Sequence, residues 1–252
     1  MLLPACPEPA IDTVGVVIPA HNEAALLASC LSSVSRAAGL AAARGLGVEI
    51  VVVLDRCSDG TAEVVASFAG RDVPVSAVGS ERAGVGWARA AGVDLLIARH
   101  GSRRTWLCTT DADSTVADGW ILGQLDHAAA GADAVVGTVQ VTDWSGHPPL
   151  AVRRYYAGYH QVDGHRHVHG ANLAFRADSY LAAGGFGAAA WDEDVDLVRR
   201  IELTGARIVR TAKLPVITSA RLHNRVPAGF GNYLSALQTL PDEPEGVDNV
   251  VC

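Results

Sequence analysis

The chain has one lysine, Lys213, among its 20 basic residues, and its five cysteines form no Cys-x-x-Cys. The first scarcity leaves any lysine-dependent reaction a single candidate. Cys6, Cys30, Cys57, Cys108 and Cys252 are odd in number and widely scattered, which fits reduced thiols and argues against a disulfide framework or a structural zinc site. Long apolar runs are missing as well. The longest strongly apolar run, residues 50–54, has five residues, against the ~20 of a membrane-spanning helix. The opening Met-Leu-Leu-Pro-Ala-Cys-Pro-Glu-Pro has no basic n-region and is broken by prolines, unlike a secretory signal. Residues 1–13 therefore read as an N-terminal extension, and the expected location is cytoplasmic. Positive charge is short overall, with 20 Lys and Arg against 27 Asp and Glu and a net charge of −7. Such a chain lacks the basic face that attracts a nucleic-acid backbone, so no nucleic-acid partner is expected.

What the chain has in quantity is apolar residues, 49% of the total, arranged in short runs. Residues 14–19, 48–54, 73–78, 105–110 and 134–141 have strand length, and residues 23–40, 61–68, 85–99 and 119–130 between them have helical length. Continuous apolar strands separated by helices predict an α/β fold, with a central, mostly parallel sheet flanked by helices on both faces. In such sheets ligands bind beyond the carboxyl ends of the strands. Four successive strand ends here carry polar or glycine-rich inserts: Ala20-His21-Asn22-Glu23, then Asp55-Arg56-Cys57-Ser58-Asp59-Gly60-Thr61, then Glu81-Arg82-Ala83-Gly84-Val85-Gly86, then Asp111-Ala112-Asp113. One acidic loop would be ordinary helix capping; four in register indicate a site. The Asp-x-Asp spacing puts both carboxylates on one strand face, or lets them converge at a turn on one hard cation, which could neutralise a bound diphosphate.

The second half changes character. Residues 142–164 are polar, rich in Pro, Tyr and Trp, and read as a functional insertion. Residues 169–176 resume as a strand, residues 191–203 form a helix with Glu193 and Asp194 in its first turn, and residues 207–209 and 216–218 read as two short strands. His165, His167 and His169 alternate, so a strand would put them on one face. No further ligand spacing accompanies them, and they read as loop or acceptor-pocket histidines. Trp144, Tyr155, Tyr156, Tyr159 and Trp191 are candidates either for stacking on a substrate or for the core.

Pro19-Ala20-His21-Asn22-Glu23, Asp55 with Ser58-Asp59-Gly60-Thr61, Asp111-Ala112-Asp113 and Glu193-Asp194-Val195-Asp196-Leu197 occur in that order. Together with residues 84–92 and Gly170-Ala171-Asn172-Leu173-Ala174-Phe175-Arg176, they resemble glycosyltransferase family 2, over roughly residues 14–225. The resemblance implies the GT-A fold and a metal-dependent glycosyltransferase (a hexosyltransferase) that uses a nucleotide-diphosphate sugar and a small-molecule or lipid-linked hydroxyl acceptor. It implies a catalytic domain at residues 14–240, with a nucleotide-sugar half at 14–114 and an acceptor half at 115–240, and a tail at 241–252. Pro19, Glu23, Asp55, Arg89, Asp111 and Asp113 would bind the donor. Asp113 and Asp111 would hold Mn²⁺ or Mg²⁺, with His223 completing the shell. Asp194 would be the general base of an inverting transfer, and His169, Gly170, Asn172 and Glu193 would face the acceptor. A homodimer stays open, and so do the donor sugar, its base and the acceptor.

The pattern also departs from that family. Arg56 and Cys57 interrupt its usual Asp-Asp-Gly-Ser motif, Arg82-Ala83-Gly84 replaces a Lys-Gly, and the Gln-x-x-Arg-Trp of processive members is absent, which favours a single transfer. A retaining enzyme of the glucosyl-3-phosphoglycerate-synthase type is the alternative within the class. Asp111-Ala112-Asp113-Ser114-Thr115 also fits the nucleophile motif of haloacid-dehalogenase-type phosphohydrolases. That chemistry needs a lysine followed by paired acids, and here Glu193-Asp194 precede Lys213. A dinucleotide oxidoreductase fails because Gly84-Val85-Gly86 runs on to Arg89 where glycine or alanine is required. A sugar-phosphate nucleotidyltransferase would need a glycine-rich, lysine-bearing loop after the first strand. A non-catalytic sugar-nucleotide-binding protein would lack either the base or the metal motif.

Overall fold

The computed structural model describes residues 10–187, 192–221 and 230–239. In chain order, β1 (Thr13–Ala20) leads to α1 (Leu27–Ala42), β2 (Gly47–Leu54), α2 (Thr61–Ala66), β3 (Val75–Gly79), α3 (Val85–His100) and β4 (Thr105–Thr109). There follow β5 (Ser114–Thr115), α4 (Trp120–Ala129), β6 (Ala134–Gln140), α5 (Pro149–Gly158), a 3-10 turn at Gly170–Asn172 and β7 (Leu173–Arg176). The last elements are α6 (Ala177–Ala182), α7 (Glu193–Leu203), β8 (Ile208–Thr218) and α8 (Phe230–Thr239).

The eight strands of the described residues join one sheet in the order β3-β2-β1-β4-β7-β6-β8-β5. Strands β3, β2, β1 and β4 are mutually parallel, as are β6 and β8. β7 runs antiparallel between β4 and β6, and β5 antiparallel against β8. A strand covered on both faces must be apolar at successive positions, and β1 is buried at every residue after Thr13. Its Val14, Val16 and Ile18 pack with Leu27, Leu31 and Val34 of α1, while Val17 packs on the other face with Ala88, Val93 and Leu96 of α3. The chain leaves β1 for β2 on one side and returns through β4 on the other. The crevice at this switch point, beyond the carboxyl ends of β1, β2 and β4, is where such sheets take ligands.

Several local expectations change. Asp111 and Asp113 do not close a strand; β4 ends at Thr109, and both lie on the turn into β5. The strand expected from residue 169 begins only at Leu173, after the 3-10 turn. The two short strands at 207–209 and 216–218 are one, β8. Its register against β6 slips between Gly137 and Val139, so residues 212–215 bulge, and Pro215 sits where no ladder N–H is needed. The polar insertion contains α5, with a proline in its first turn, where the missing N–H removes no helical bond. Its Ala151 and Tyr155 bury against Leu234 and Leu237 of α8. Among the described residues no helix is long and apolar enough to cross a membrane.

Close packing of α3 on the sheet depends on Gly92. A Cβ there would stand 2.5 Å from Val17 Cγ1 and 2.9 Å from Val53 Cγ2, both in the sheet core. We expect Gly92→Ala to lower stability by about 1–3 kcal/mol through overpacking, despite alanine's better helix propensity, as read from the urea midpoint.

Candidate active site

The loops at the strand ends are tied to one another before any ligand is considered. Asn22 turns the chain after β1 at φ 54, and its Oδ1 accepts from the Ser58 N–H at 2.7 Å. Thr61 Oγ1 accepts from the Glu23 N–H at 2.8 Å. Asp59 caps both strand-end loops, accepting from the N–H of Ala24 at 3.1 Å and of Thr61 at 3.0 Å. Asp55 reaches the third loop, where its Oδ2 accepts from the Gly84 N–H at 2.9 Å at the start of α3. His21 Nδ1 lies 2.5 Å from the Asp55 carbonyl oxygen, so that nitrogen carries the proton. Arg56, at φ 51, donates through Nε to Asp55 Oδ1 at 3.1 Å.

These ties frame a cavity of about 370 Å³ lined by Pro19, Glu23, Asp55, Asp111, Asp113 and Arg221, among others. Five of the six residues expected at the donor thus converge. Arg221, which follows β8, is the partner that sequence reasoning missed. Its guanidinium donates to both Glu23 oxygens at 2.8 and 2.7 Å, and Nη2 lies 2.8 Å from Asp113 Oδ2. Burial pushes the Asp113 carboxyl up to about 6; Asp111 and Glu23 add to the shift, and Arg221 opposes it. The only signal for Arg221 is that it lies just past a strand end, where sheets of this kind place their site.

Arg89, the sixth, is not on the open face of that cavity. It is buried between two carboxylates, donating through Nη2 to Asp111 Oδ1 at 2.6 Å and through Nη1 to Glu193. Burial works against its charge, but the Asp111, Glu193 and Asp194 carboxylates outweigh it and raise its pKa. Gly170 packs directly on this guanidinium, and a Cβ there would overlap it. Glu193, expected at the acceptor, is therefore committed to Arg89.

A second cavity of about 390 Å³ shares Val85, Asp111, Thr218 and Phe230 with the first, so the two adjoin. Asp194 opens into it from the first turn of α7. Its Oδ2 accepts from the Gly170 N–H at 2.5 Å and its Oδ1 from the Val195 N–H at 2.9 Å. Burial raises the Asp194 pKa, against the lowering effect of Arg89 and these two N–H groups. Asp192, at φ 58, lines the same cavity, as do His169 and Gly170. His165, His167 and His169 do share a face: their rings stack at 5.7 and 6.1 Å, and Tyr159 stacks on His167 at 4.2 Å. Asn172 does not face this cavity. Its Nδ2 donates to the Thr138 and Leu214 carbonyls at 2.8 and 2.7 Å, and its Oδ1 accepts from Trp120 Nε1 at 2.9 Å. The amide is spent joining α4, β6 and β8 behind the site. His223 and Trp191 lie outside the described residues. Among the described residues no group of three or more His, Cys, Asp or Glu is placed to hold a metal by itself.

With this geometry in hand, residues 15–181 match the model of the family described as glycosyl transferase family 2. The chain belongs to that family. No curated protein matches its sequence. Solved structures similar to this family member include Staphylococcus aureus TarS 1–349 in complex with UDP, at TM-score 0.59 and 14% identity, over 82% of this chain and 61% of that one. The mannosyltransferase PcManGT of Pyrobaculum calidifontis, in complex with GDP-Man and Mn²⁺, matches at TM-score 0.60 and 20% identity, over 86% and 61%. Mycobacterium tuberculosis glucosyl-3-phosphoglycerate synthase matches at 0.54 and 19%, over 90% and 77%. The chain thus spans about 61% of the length of the first two. At these identities the likeness establishes the fold, the GT-A architecture expected from the motifs.

Removing the guanidinium from the carboxylate pair would leave Glu193 buried without a counter-charge. Arg89→Ala should therefore cost about 3–5 kcal/mol in urea unfolding, and adding Glu193→Gln should recover part of the loss.

Proposed function

We propose that this protein transfers a glycosyl group from a nucleoside-diphosphate sugar to a hydroxyl acceptor, with Asp194 as general base in an inverting single displacement. The observation that carries this reading is the position of Asp194, half-buried in the lining of a cavity that also takes in Asp111. The nucleoside diphosphate would occupy the cavity of Pro19, Glu23 and Asp55, and the acceptor would enter beside Asp194. Asp194 takes the acceptor hydroxyl proton, the acceptor oxygen bonds to the anomeric carbon, and the bond from that carbon to the diphosphate oxygen breaks. A base whose pKa is raised by burial is better matched to this proton transfer than an ordinary carboxylate.

The donor set on the turn suits a hard divalent cation. Asp113 and Asp111 offer only oxygen ligands, and Mg²⁺-type sites are completed by substrate phosphates and water around one or two carboxylates. When bound, such an ion neutralises charge on the diphosphate leaving group. PcManGT, crystallised with GDP-Man and Mn²⁺, supports this assignment by analogy of fold. Arg221 already donates to Asp113, so guanidinium and cation compete for that carboxylate.

Thermal-shift measurements with UDP and GDP, each with and without Mn²⁺, test the donor side; no stabilisation by any of them would refute the reading. Asp113→Ala should abolish the Mn²⁺-dependent part of the shift. Asp194→Asn should keep it and lower turnover by roughly 100-fold or more, the size of a lost general base. NMR of the product's anomeric configuration separates inversion from retention.

The raised pKa of Asp113 also sets a pH dependence. Above about 6 the carboxylate is charged and ready to bind; below it, a proton must leave first. Mn²⁺ affinity, measured calorimetrically with nucleotide present, should hold between pH 7 and 8. It should fall towards about tenfold per pH unit below 6, the slope of one released proton.

A further inference from the structure

We propose that the second cavity accepts an uncharged pyranoside and discriminates against acceptors that carry a carboxylate or phosphate on the ring. The inference rests on the reading of this cavity as the acceptor side, and it names the acceptor's chemical class.

Among the described residues the charge lining the cavity is one-sided. Asp111, Asp192, Glu193 and Asp194 line it together with a single described guanidinium, that of Arg89. Arg89 is already shared between Asp111 and Glu193, so it has little positive field left for an incoming anion. The carboxylates accept hydrogen bonds and have no donor of their own while ionised. A polyhydroxylated ring supplies donors to them, whereas an anionic acceptor meets like charge in a partly desolvated space, where repulsion is screened least.

The aromatic part of the lining is uncharged. Tyr159 Oη accepts from the Val139 N–H at 3.0 Å and lies 2.8 Å from His169 Nε2, a hydrogen bond that either group can donate. Burial, and then the neighbouring His167 and His165, hold the His169 pKa down to about 3, and burial lowers that of His167 as well. At neutral pH the histidines therefore bring no cation to offset the carboxylates. Phe230 stands edge-on to His169 at 5.7 Å. Tyr159, His167, His169 and Phe230 thus add uncharged aromatic surface to a lining that also carries carboxylates. A pyranose can meet both, with C–H groups for the rings and hydroxyls for the oxygens.

A matched pair of probes isolates the charge: p-nitrophenyl β-D-glucopyranoside and p-nitrophenyl β-D-glucuronide differ only at C6. Each is titrated calorimetrically into the full chain saturated with Mn²⁺ and whichever of UDP or GDP gives the larger thermal shift. The glucoside should bind at least tenfold more tightly. Asp192→Asn removes one carboxylate and keeps a residue that tolerates positive φ. It should narrow the ratio at least threefold without moving nucleotide affinity, a change that loss of packing alone would not produce. Phe230→Ala should weaken the glucoside several-fold. Equal or tighter binding of the glucuronide overturns the inference, and so does binding of neither probe while the nucleotide still binds. Failure of the nucleotide itself to bind overturns the donor reading, and this inference falls with it.

Discussion

One buried guanidinium holds the site together. Arg89 rises from α3, takes Asp111 on the turn after β4 and Glu193 at the start of α7, and fills the space left by Gly170. Four segments far apart in sequence are thereby fixed to one point of charge. Asp194, next to Glu193, inherits its position from this lock and from the Gly170 N–H. A buried ion-pair network of this kind favours one arrangement because alternatives leave a charge unpaired. The carboxylates of the Asp111–Asp113 turn and Asp194 are therefore held in relation to each other by a residue that is itself buried between two of its partners.

The second guanidinium plays a different part. Arg221 is half-exposed and shares itself between Glu23 and Asp113. It lowers the cost of gathering three carboxylates at one turn, yet it occupies the oxygen that a cation would use. Donor and metal would thus enter an acidic cleft already neutralised from within. This would reconcile a net charge of −7 with the proposed anionic donor, without calling on a basic surface.

The sheet was readable because its physics is local. Valine-rich runs such as residues 48–54 cannot be half-exposed, so their continuity reports burial on both faces, and the polar inserts mark the strand ends. What was misread depends on partners distant in the chain. Arg89 reads as a donor-binding residue because nothing near it in sequence reveals Glu193, and Arg221 reaches Glu23 across 198 positions. Asn172 lies within a recognisable motif, but whether its amide faces the cavity or the back of the sheet is decided by Trp120, Thr138 and Leu214. The helix α5 was hidden by its Pro148–Pro149 start and many tyrosines, and β8 by a proline that the bulge accommodates. Local patterns convey element type, while the aim of a side chain is a tertiary property.

Asn22, Arg56 and Asp192 are the non-glycine residues held at positive φ among those described; Arg56 and Asp192 line the two cavities, and Asn22 lies between His21 and Glu23, which line the first. An L-residue in that conformation costs roughly 1–2 kcal/mol, so the least comfortable backbone lies where ligands enter. Selection for heat resistance alone would turn these positions to glycine and loosen the cavity linings, because the relaxed residue is also the freer one. Robustness and stiffness of aim thus pull in opposite directions on the same three residues, and a variant hardened elsewhere in the sheet would have margin to keep them.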